Sequence, residues 1–122
     1  MAQHNDLGKA GETLAANFLR EKCYILCESQ YRYKKSEIDI IAKTENILVF
    51  IEVKTRSSAV FGEPEEQIST KKQEMMIAGA NAYIEEKGWQ GESRFDVISI
   101  ILSPSTPAVI KHIEDAFYPF GL

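Results

Sequence analysis

Glu37-Ile38-Asp39-Ile40-Ile41-Ala42-Lys43-Thr44-Glu45-Asn46-Ile47-Leu48-Val49-Phe50-Ile51-Glu52-Val53-Lys54-Thr55 lies near the middle of a 122-residue chain and decides how the rest is read. Two apolar runs rich in β-branched residues flank Glu45-Asn46, a pair suited to a two-residue hairpin turn because asparagine tolerates positive φ. The stretch therefore predicts strands over residues 37–43 and 47–55. Strand side chains alternate faces, so Glu37, Asp39 and Ile41 are expected on one face of the first strand. Leu48, Phe50, Glu52 and Lys54 are expected together on one face of the second. With Thr44 opposite Ile47, counting outward sets Asp39 opposite Glu52, with Lys54 two residues along.

Two carboxylates in that position need a reason. Opposed like charges destabilise a hairpin, and burial beside Leu48 and Phe50 makes unpaired charge costlier still. One reading is a solvated face with cross-strand ion pairs. The other is a hard divalent cation, Mg²⁺ or Mn²⁺, held by carboxylate oxygens. A fixed lysine beside such an ion can hold a phosphate oxygen or orient a water, which is what phosphodiester hydrolysis requires. The apolar runs around both acids resemble central strands buried on both faces, which favours the second reading.

Outward from the hairpin, Leu7, Ala10, Gly11, Leu14, Ala15 and Phe18 recur at helical spacing and predict a helix over residues 6–21, with Asn5 or Asp6 as its N-cap. Residues 23–27 read as a short strand, and residues 31–35 as a basic, aromatic loop or strand edge. Residues 57–66 carry Gly62 and Pro64 and read as a loop. A second helix is expected over residues 70–87, with Thr70 and Gln73 at capping-box spacing and Gly88 as its stop. Strands over 95–102 and 109–113, with a turn at 103–107, complete the order α-β-β-β-α-β-β. That order predicts an α/β fold, a mixed sheet flanked by helices.

Composition sets limits around this core. With 44% hydrophobic and 26% charged residues the chain is of ordinary globular type. A chain of this length buries roughly two-thirds of its unfolded surface, enough for a core without metal or disulfide staples. No apolar run approaches the roughly 18 residues of a membrane helix, and the polar N-terminus lacks a signal-peptide core, so a cytoplasmic protein with no membrane association is expected. Cys23 and Cys27 on one strand would stand about 13 Å apart, too far for a disulfide. Buried, reduced thiols are expected there, and neither His4 nor His112 is near enough in sequence to suggest zinc.

Charge points the same way once it is located. Fourteen basic and 18 acidic residues give a net charge of −4, which excludes a broad basic coat for nucleic acid. Residues 31–56, however, hold six basic residues (Arg32, Lys34, Lys35, Lys43, Lys54, Arg56) against four acids (Glu37, Asp39, Glu45, Glu52). Two of those acids are the candidate metal ligands. Arg32, Lys34, Lys35 and Arg56, interleaved with Tyr31 and Tyr33, suit phosphate contact and base stacking, or else form a solubilising loop. Lys72 falls within the apolar stripe of the second helix and faces phosphate, faces a carboxylate, or snorkels. Gln67 just before that helix is a candidate DNA contact or a plain loop residue. Glu12, at the edge of the first helix's stripe, either reaches the sheet or serves as a favourable acid early in the helix. Glu37 is either a supporting acid or an ion-pair partner. Asp96 is expected to be a structural hydrogen-bonding residue, with Arg94 as a DNA contact or an acid's partner.

Taken together, Glu37-Ile38-Asp39-Ile40-Ile41-Ala42 and Val49-Phe50-Ile51-Glu52-Val53-Lys54-Thr55-Arg56 resemble the YraN-type family of small bacterial proteins. That family belongs to the restriction-endonuclease-like, or PD-(D/E)XK, superfamily and is similar to archaeal Holliday junction resolvases. Gly8-Lys9-Ala10-Gly11-Glu12, Thr70-Lys71-Lys72-Gln73 and Arg94-Phe95-Asp96-Val97 extend the likeness over nearly the whole chain, and Ser36 departs from the family's usual glycine. The resemblance implies one nuclease domain over residues 1–122, with a restriction-endonuclease-like three-layer core, and metal-dependent cleavage of DNA, branched DNA included. It implies Asp39 and Glu52 as metal ligands, the Val53 carbonyl as a third, Lys54 as the catalytic lysine and Glu12 as an additional acid. A homodimer would suit a substrate with two-fold symmetry. The alternative is a non-catalytic nucleic-acid-binding or scaffold module with the same fold. A third possibility is an RNA-directed nuclease, which nothing in the residues excludes.

Overall fold

The computed structural model describes residues 2–57 and 68–119. Its elements run α1 (Ala2–Glu21), β1 (Ile25–Tyr33), β2 (Ser36–Thr44), β3 (Ile47–Arg56), α2 (Thr70–Lys87), β4 (Glu92–Ser103) and β5 (Thr106–Phe117). Among the described residues the strands form one sheet in the order β1-β2-β3-β4-β5. β3 and β4 are parallel, with α2 in the connection between them, and every other neighbouring pair is antiparallel. The fold is α/β, a mixed sheet with two packed helices, as the element order predicts. No helix among the described residues is long and apolar enough to cross a membrane.

Each helix covers one face of the sheet. Ala15 and Leu19 of α1 pack with Ile40, Ala42, Val49, Ile51, Ile98 and Ile100. Met76, Ile77, Ala80 and Tyr83 of α2 pack with Ile38, Ile41, Leu48, Phe50 and Phe95. β2 and β3 are therefore apolar on both faces, which is why their sequence reads as nearly unbroken hydrophobic runs.

Several boundaries differ from expectation for local reasons. α1 begins at Ala2, so Asn5 and Asp6 lie inside it and do not cap it. It ends where Cys23 turns left-handed (φ 70°) and the Tyr24 N–H donates to the Leu19 carbonyl (2.9 Å). The following strand starts at Ile25 and carries Tyr31, Arg32 and Tyr33, so only Lys34 and Lys35 form the turn. Cys23 and Cys27 are exposed free thiols, contrary to the expected burial, because one lies in the turn and the other at a bulge in an edge strand. In the β2–β3 turn Glu45 takes the positive φ (53°), and Asn46 does not. The cap of α2 is Ser69, whose hydroxyl accepts from the Lys72 N–H (3.1 Å); Thr70 is already helical. Gly88 ends α2 in the left-handed conformation, as expected. β4 starts earlier than predicted, at Glu92, and β5 runs from Thr106 to Phe117, beyond the predicted 109–113 at both ends and taking Thr106 and Pro107 from the predicted turn. Most of the predicted loop over 57–66, with Gly62 and Pro64, lies outside the described residues.

One departure matters for the site. The β2–β3 ladder follows the counted register from Thr44↔Ile47 to Ile40↔Ile51 and ends there, one pair short of Asp39 and Glu52. Strict alternation also fails on β2. Ile38 lies against α2, next to Gly79, whereas Ile40 and Ala42 lie against α1, and Ile41 lies against α2. Even-numbered residues thus change faces across Asp39. The residue between Ser29 and Tyr31 on β1, level with this step, is Gln30, held at a positive φ of 51°. Both strands are irregular at one level, so Asp39 does not simply share a face with Ile41 as the alternation predicts.

At the far end of α1 a second polar cluster locks the fold. Asp96 is fully buried and accepts from Arg94 Nε (2.9 Å) and the Asp115 N–H (3.1 Å), and lies 2.7 Å from His112 Nε2. Arg94 also donates to the Tyr24 hydroxyl (2.7 Å). Burial pushes the Asp96 carboxyl upward, but the bonds from His112, Arg94 and Asp115 outweigh it and hold the group below its usual value. Asp96 is thus structural, and Arg94 is its partner. Asp96→Ala should cost about 3–5 kcal/mol in urea unfolding, since it strands a buried guanidinium. A loss under about 1 kcal/mol would show that the cluster does not hold β4, β5 and the α1–β1 turn together.

Candidate active site

The topology gathers the proposed residues at one end of the sheet. β1 and β3 end there, β2 begins there, and the first turn of α2 lies beside them. This end receives Asp39, Glu52, Lys54, Arg56, Lys72, Arg32, Lys34 and Lys35 from separate elements.

Asp39 and Glu52 lie where β2 and β3 part. The Asp39 Oδ2 accepts the Val53 N–H (2.8 Å), so a side chain takes the place of the next backbone rung. Burial, and then the charge of Glu52, push the Asp39 carboxyl up to about 7; the Val53 N–H and Lys72 pull the other way. The Glu52 side chain is 13% exposed, and its Oε1 is buried without a hydrogen-bond donor. Lys72 Nζ forms an ion pair with that same oxygen at 3.5 Å. Lys72 therefore faces a carboxylate, one of the roles its place in the apolar stripe allowed.

Glu12 approaches from the other face of the sheet. Gly11 makes this possible: a β-carbon at that position would overlap the Thr55 side chain, so only glycine lets α1 come this close to β3. Burial and the charge of Asp39 push the Glu12 carboxyl above its ordinary value, while a hydrogen bond from Gln30 Nε2 (3.1 Å) opposes the shift. Gln30 escaped the sequence reading because neither periodicity nor motif spacing marks a glutamine on an edge strand. Its positive φ is visible only in the fold.

Lys54 is half-buried on β3, and by the regular alternation of that strand it shares the α2 face with Glu52. Among the described residues it has no ion-pair partner. Arg56 is the last residue of β3. Lys34 and Lys35 are exposed at the β1–β2 turn, with Lys34 Nζ 5.3 Å from the Tyr33 ring centre. Arg32 is exposed and pairs loosely with Glu37 (3.9 Å), and the charge of Glu37 also acts on Glu12. Tyr31 packs edge-on against Tyr83 (5.2 Å) and donates to Glu86 (3.3 Å), so it belongs to the core margin and is not free to stack on a base. Gln67 lies outside the described residues.

Among the described residues no three His, Cys, Asp or Glu side chains converge on one point. The acids form a close pair, with Glu12 nearby and engaged by Gln30. The pair still suits a hard cation. A buried carboxylate oxygen lacking a donor, next to a second carboxylate, is a donor set of the kind Mg²⁺ takes while keeping several waters. Asp39 and Glu52 could hold such an ion, with the Val53 carbonyl as a backbone ligand.

Without metal, the Asp39 carboxyl should leave a signature in stability. An unfolded aspartate loses its proton near pH 4, whereas the folded one keeps it to about pH 7. The folded state then holds the extra proton through that window, and stability falls as pH rises through it. In chelator, Asp39→Asn should flatten this fall and raise the pH 8 thermal midpoint by about 4 °C or more, equivalent to about 1 kcal/mol. Equal slopes in variant and wild type between pH 5 and 8 would refute the assignment.

Comparison with known proteins places the chain. Residues 11–100 match the model of the family described as "Uncharacterised protein family UPF0102". A UPF0102 protein of Christiangramia forsetii is 47% identical over 120 residues, covering 98% of this chain and 100% of the relative. Another from Flavobacterium psychrophilum is 45% identical over 120 residues, with the same coverage of both chains. One from Clostridium botulinum is 42% identical over 117 residues, covering 93% of this chain and 95% of its own. The matched stretch contains Glu12, Asp39, Glu52, Lys54 and Lys72 together, and the chain belongs to the UPF0102 family.

Proposed function

We propose that this protein is a nuclease of the restriction-endonuclease-like, PD-(D/E)XK type that hydrolyses phosphodiester bonds in DNA, branched or structured DNA in particular, using Mg²⁺ or Mn²⁺. One observation carries the reading: two carboxylates pressed together at a strand divergence, one with a buried oxygen that has no hydrogen bond and the Lys72 ammonium 3.5 Å away, and a lysine on the same strand face that has no ion-pair partner among the described residues. A purely structural site gains nothing from this arrangement, because the acids repel and their burial is costly. The family resemblance drawn from the sequence points to the same chemistry.

In this reading Asp39, Glu52 and the Val53 carbonyl hold the ion. When bound, it polarises the phosphate and makes a water more acidic. The Val53 N–H fixes the Asp39 carboxylate before any ligand arrives. Lys54 holds a phosphate oxygen or orients the attacking water. The water oxygen would join phosphorus, giving up a proton to solvent, as the bond to the leaving deoxyribose oxygen breaks and that oxygen takes a proton from solvent. Lys72 offsets the charge of Glu52, and Glu12 adds an acid on the α1 side. Arg32, Lys34, Lys35 and Arg56 bind the backbone of DNA, a salt-sensitive interaction.

A second reading is a DNA-binding or scaffold module that does not cut. It is favoured by the partners already present: Lys72 on Glu52 and Gln30 on Glu12. A panel of fork, flap, junction, duplex and single-stranded substrates with Mg²⁺ or Mn²⁺ separates the two. Wild type should cut at least one of these. Lys54→Ala should slow cutting by about 10²–10³-fold, and Asp39→Ala should abolish it. Binding without cleavage, or variants as active as wild type, would overturn the enzyme reading. Mn²⁺ at about 100 times its dissociation constant should stabilise wild type by about 2.7 kcal/mol in thermal unfolding. Asp39→Ala should show no such shift.

A further inference from the structure

A groove of about 340 Å³ lies beside this site, between the β1–β2 turn and α2. It is lined by Tyr33, Lys34, Lys35, Ser36, Met75 and Ala78, and its wall is almost wholly apolar. Its volume is that of a small-molecule site, at the lower end of the usual range of about 300–1,000 Å³. Two distances tie it to the acids. Ser36 precedes Asp39 by three residues on β2, about 10 Å. Met75 follows Lys72, the partner of Glu52, by three residues on α2, less than one helical turn.

Charge distinguishes this groove from its neighbour. On the far side of Tyr33 a second groove, of about 610 Å³, runs along α2 and is bordered by Glu85 and Glu86. A polyanion is repelled there and attracted by Lys34 and Lys35. Tyr33 therefore stands at the boundary between a cationic compartment and an anionic one, with Lys34 Nζ 5.3 Å from its ring centre. An aromatic ring, an apolar floor and two ammonium groups are the elements that hold one unpaired nucleotide: the base packs and stacks, and the cations take its phosphate.

We infer that this groove receives a single unpaired nucleobase of the DNA strand entering the carboxylate site. The inference rests on the nuclease reading and narrows it. A base in this groove cannot remain paired, so the preferred DNA carries a frayed end, flap or branch near the bound phosphate. The strand stops at Tyr33, where the acidic groove begins.

Fluorescence anisotropy with labelled forked DNA and a blunt duplex of equal length tests this, in chelator so that binding is read without cleavage. Wild type should bind the fork more tightly. Ala82→Phe, in the acidic groove alone, is the control that should leave binding of both DNAs unchanged, whereas Ala78, exposed on α2, lines both grooves, and Ala78→Phe fills the cationic one as well without removing charge. Ala78→Phe should weaken fork binding about tenfold, the loss of one stacked base, and leave duplex binding unchanged. Ala78→Leu should give an intermediate loss, and thermal midpoints equal to wild type exclude misfolding of either variant. The double substitution Lys34→Ala and Lys35→Ala should weaken both DNAs. Equal effects of Ala78→Phe on fork and duplex, or no effect, would overturn the groove assignment. Failure of wild type to bind either DNA would overturn the nucleic-acid reading with it. Fork preference in chelator, with no cleavage by the same protein once Mg²⁺ is added, would count against the nuclease alone.

Discussion

The Asp39 carboxylate and the Val53 N–H meet at 2.8 Å, and the end of the sheet is organised around that bond. β2 and β3 pair regularly up to Ile40 and Ile51, then separate. Here a side chain replaces a backbone carbonyl as acceptor, and the cost is a negative charge brought against Glu52. A carboxylate pair in a partly desolvated place is unfavourable by itself. The structure answers with the Val53 N–H, with Lys72 from α2, and with a proton held by Asp39 up to near neutral pH.

Holding such a pair requires rigid surroundings, which come from both layers. Ile38, Ile41, Leu48 and Phe50 anchor the strands against α2, and Ile40, Val49 and Ile51 anchor them against α1. Gly11 sets the closeness of α1 to β3, and the hydroxyl of Ser36 approaches α2 where Gly79 leaves room. A β-carbon at Gly79 would come within 2.7 Å of Ser36 Oγ. The Ser36 hydroxyl is thus accommodated by a glycine on the facing helix. At the opposite end of α1, Asp96 with Arg94 and His112 ties β4 and β5 together through hydrogen-bonded polar groups.

Much of this was legible in the residues. Element order followed from hydrophobic period and turn residues, and the hairpin register followed from one assumption, the turn at Glu45-Asn46. The proximity of Asp39 to Glu52 needed only counting. Lys72 was marked by being charged within an apolar stripe. What escaped was set by tertiary geometry. Cys23 reads as a small hydrophobe, yet it sits in a left-handed turn that no local preference announces. Ser69 and Thr70 are equally good caps in sequence, and the entry of the chain into α2 chooses the first. Gln30 carries no motif, and its role arises from lying level with Asp39 while facing Glu12.

The change of face at Asp39 has a consequence for variation in this strand. Before residue 39 the even positions of β2 belong to the α2 layer; after it they belong to the α1 layer. Straightening β2 with all its residues kept would restore a regular pleat and extend the ladder with β3. It would also swing Ser36 and Ile38 out of the α2 layer and into the other. The irregularity is thus insured by the core itself: a chain that straightens β2 loses the fit of one helix. The acid remains in its costly position because the cheaper backbone would unmake the packing on which the sheet rests.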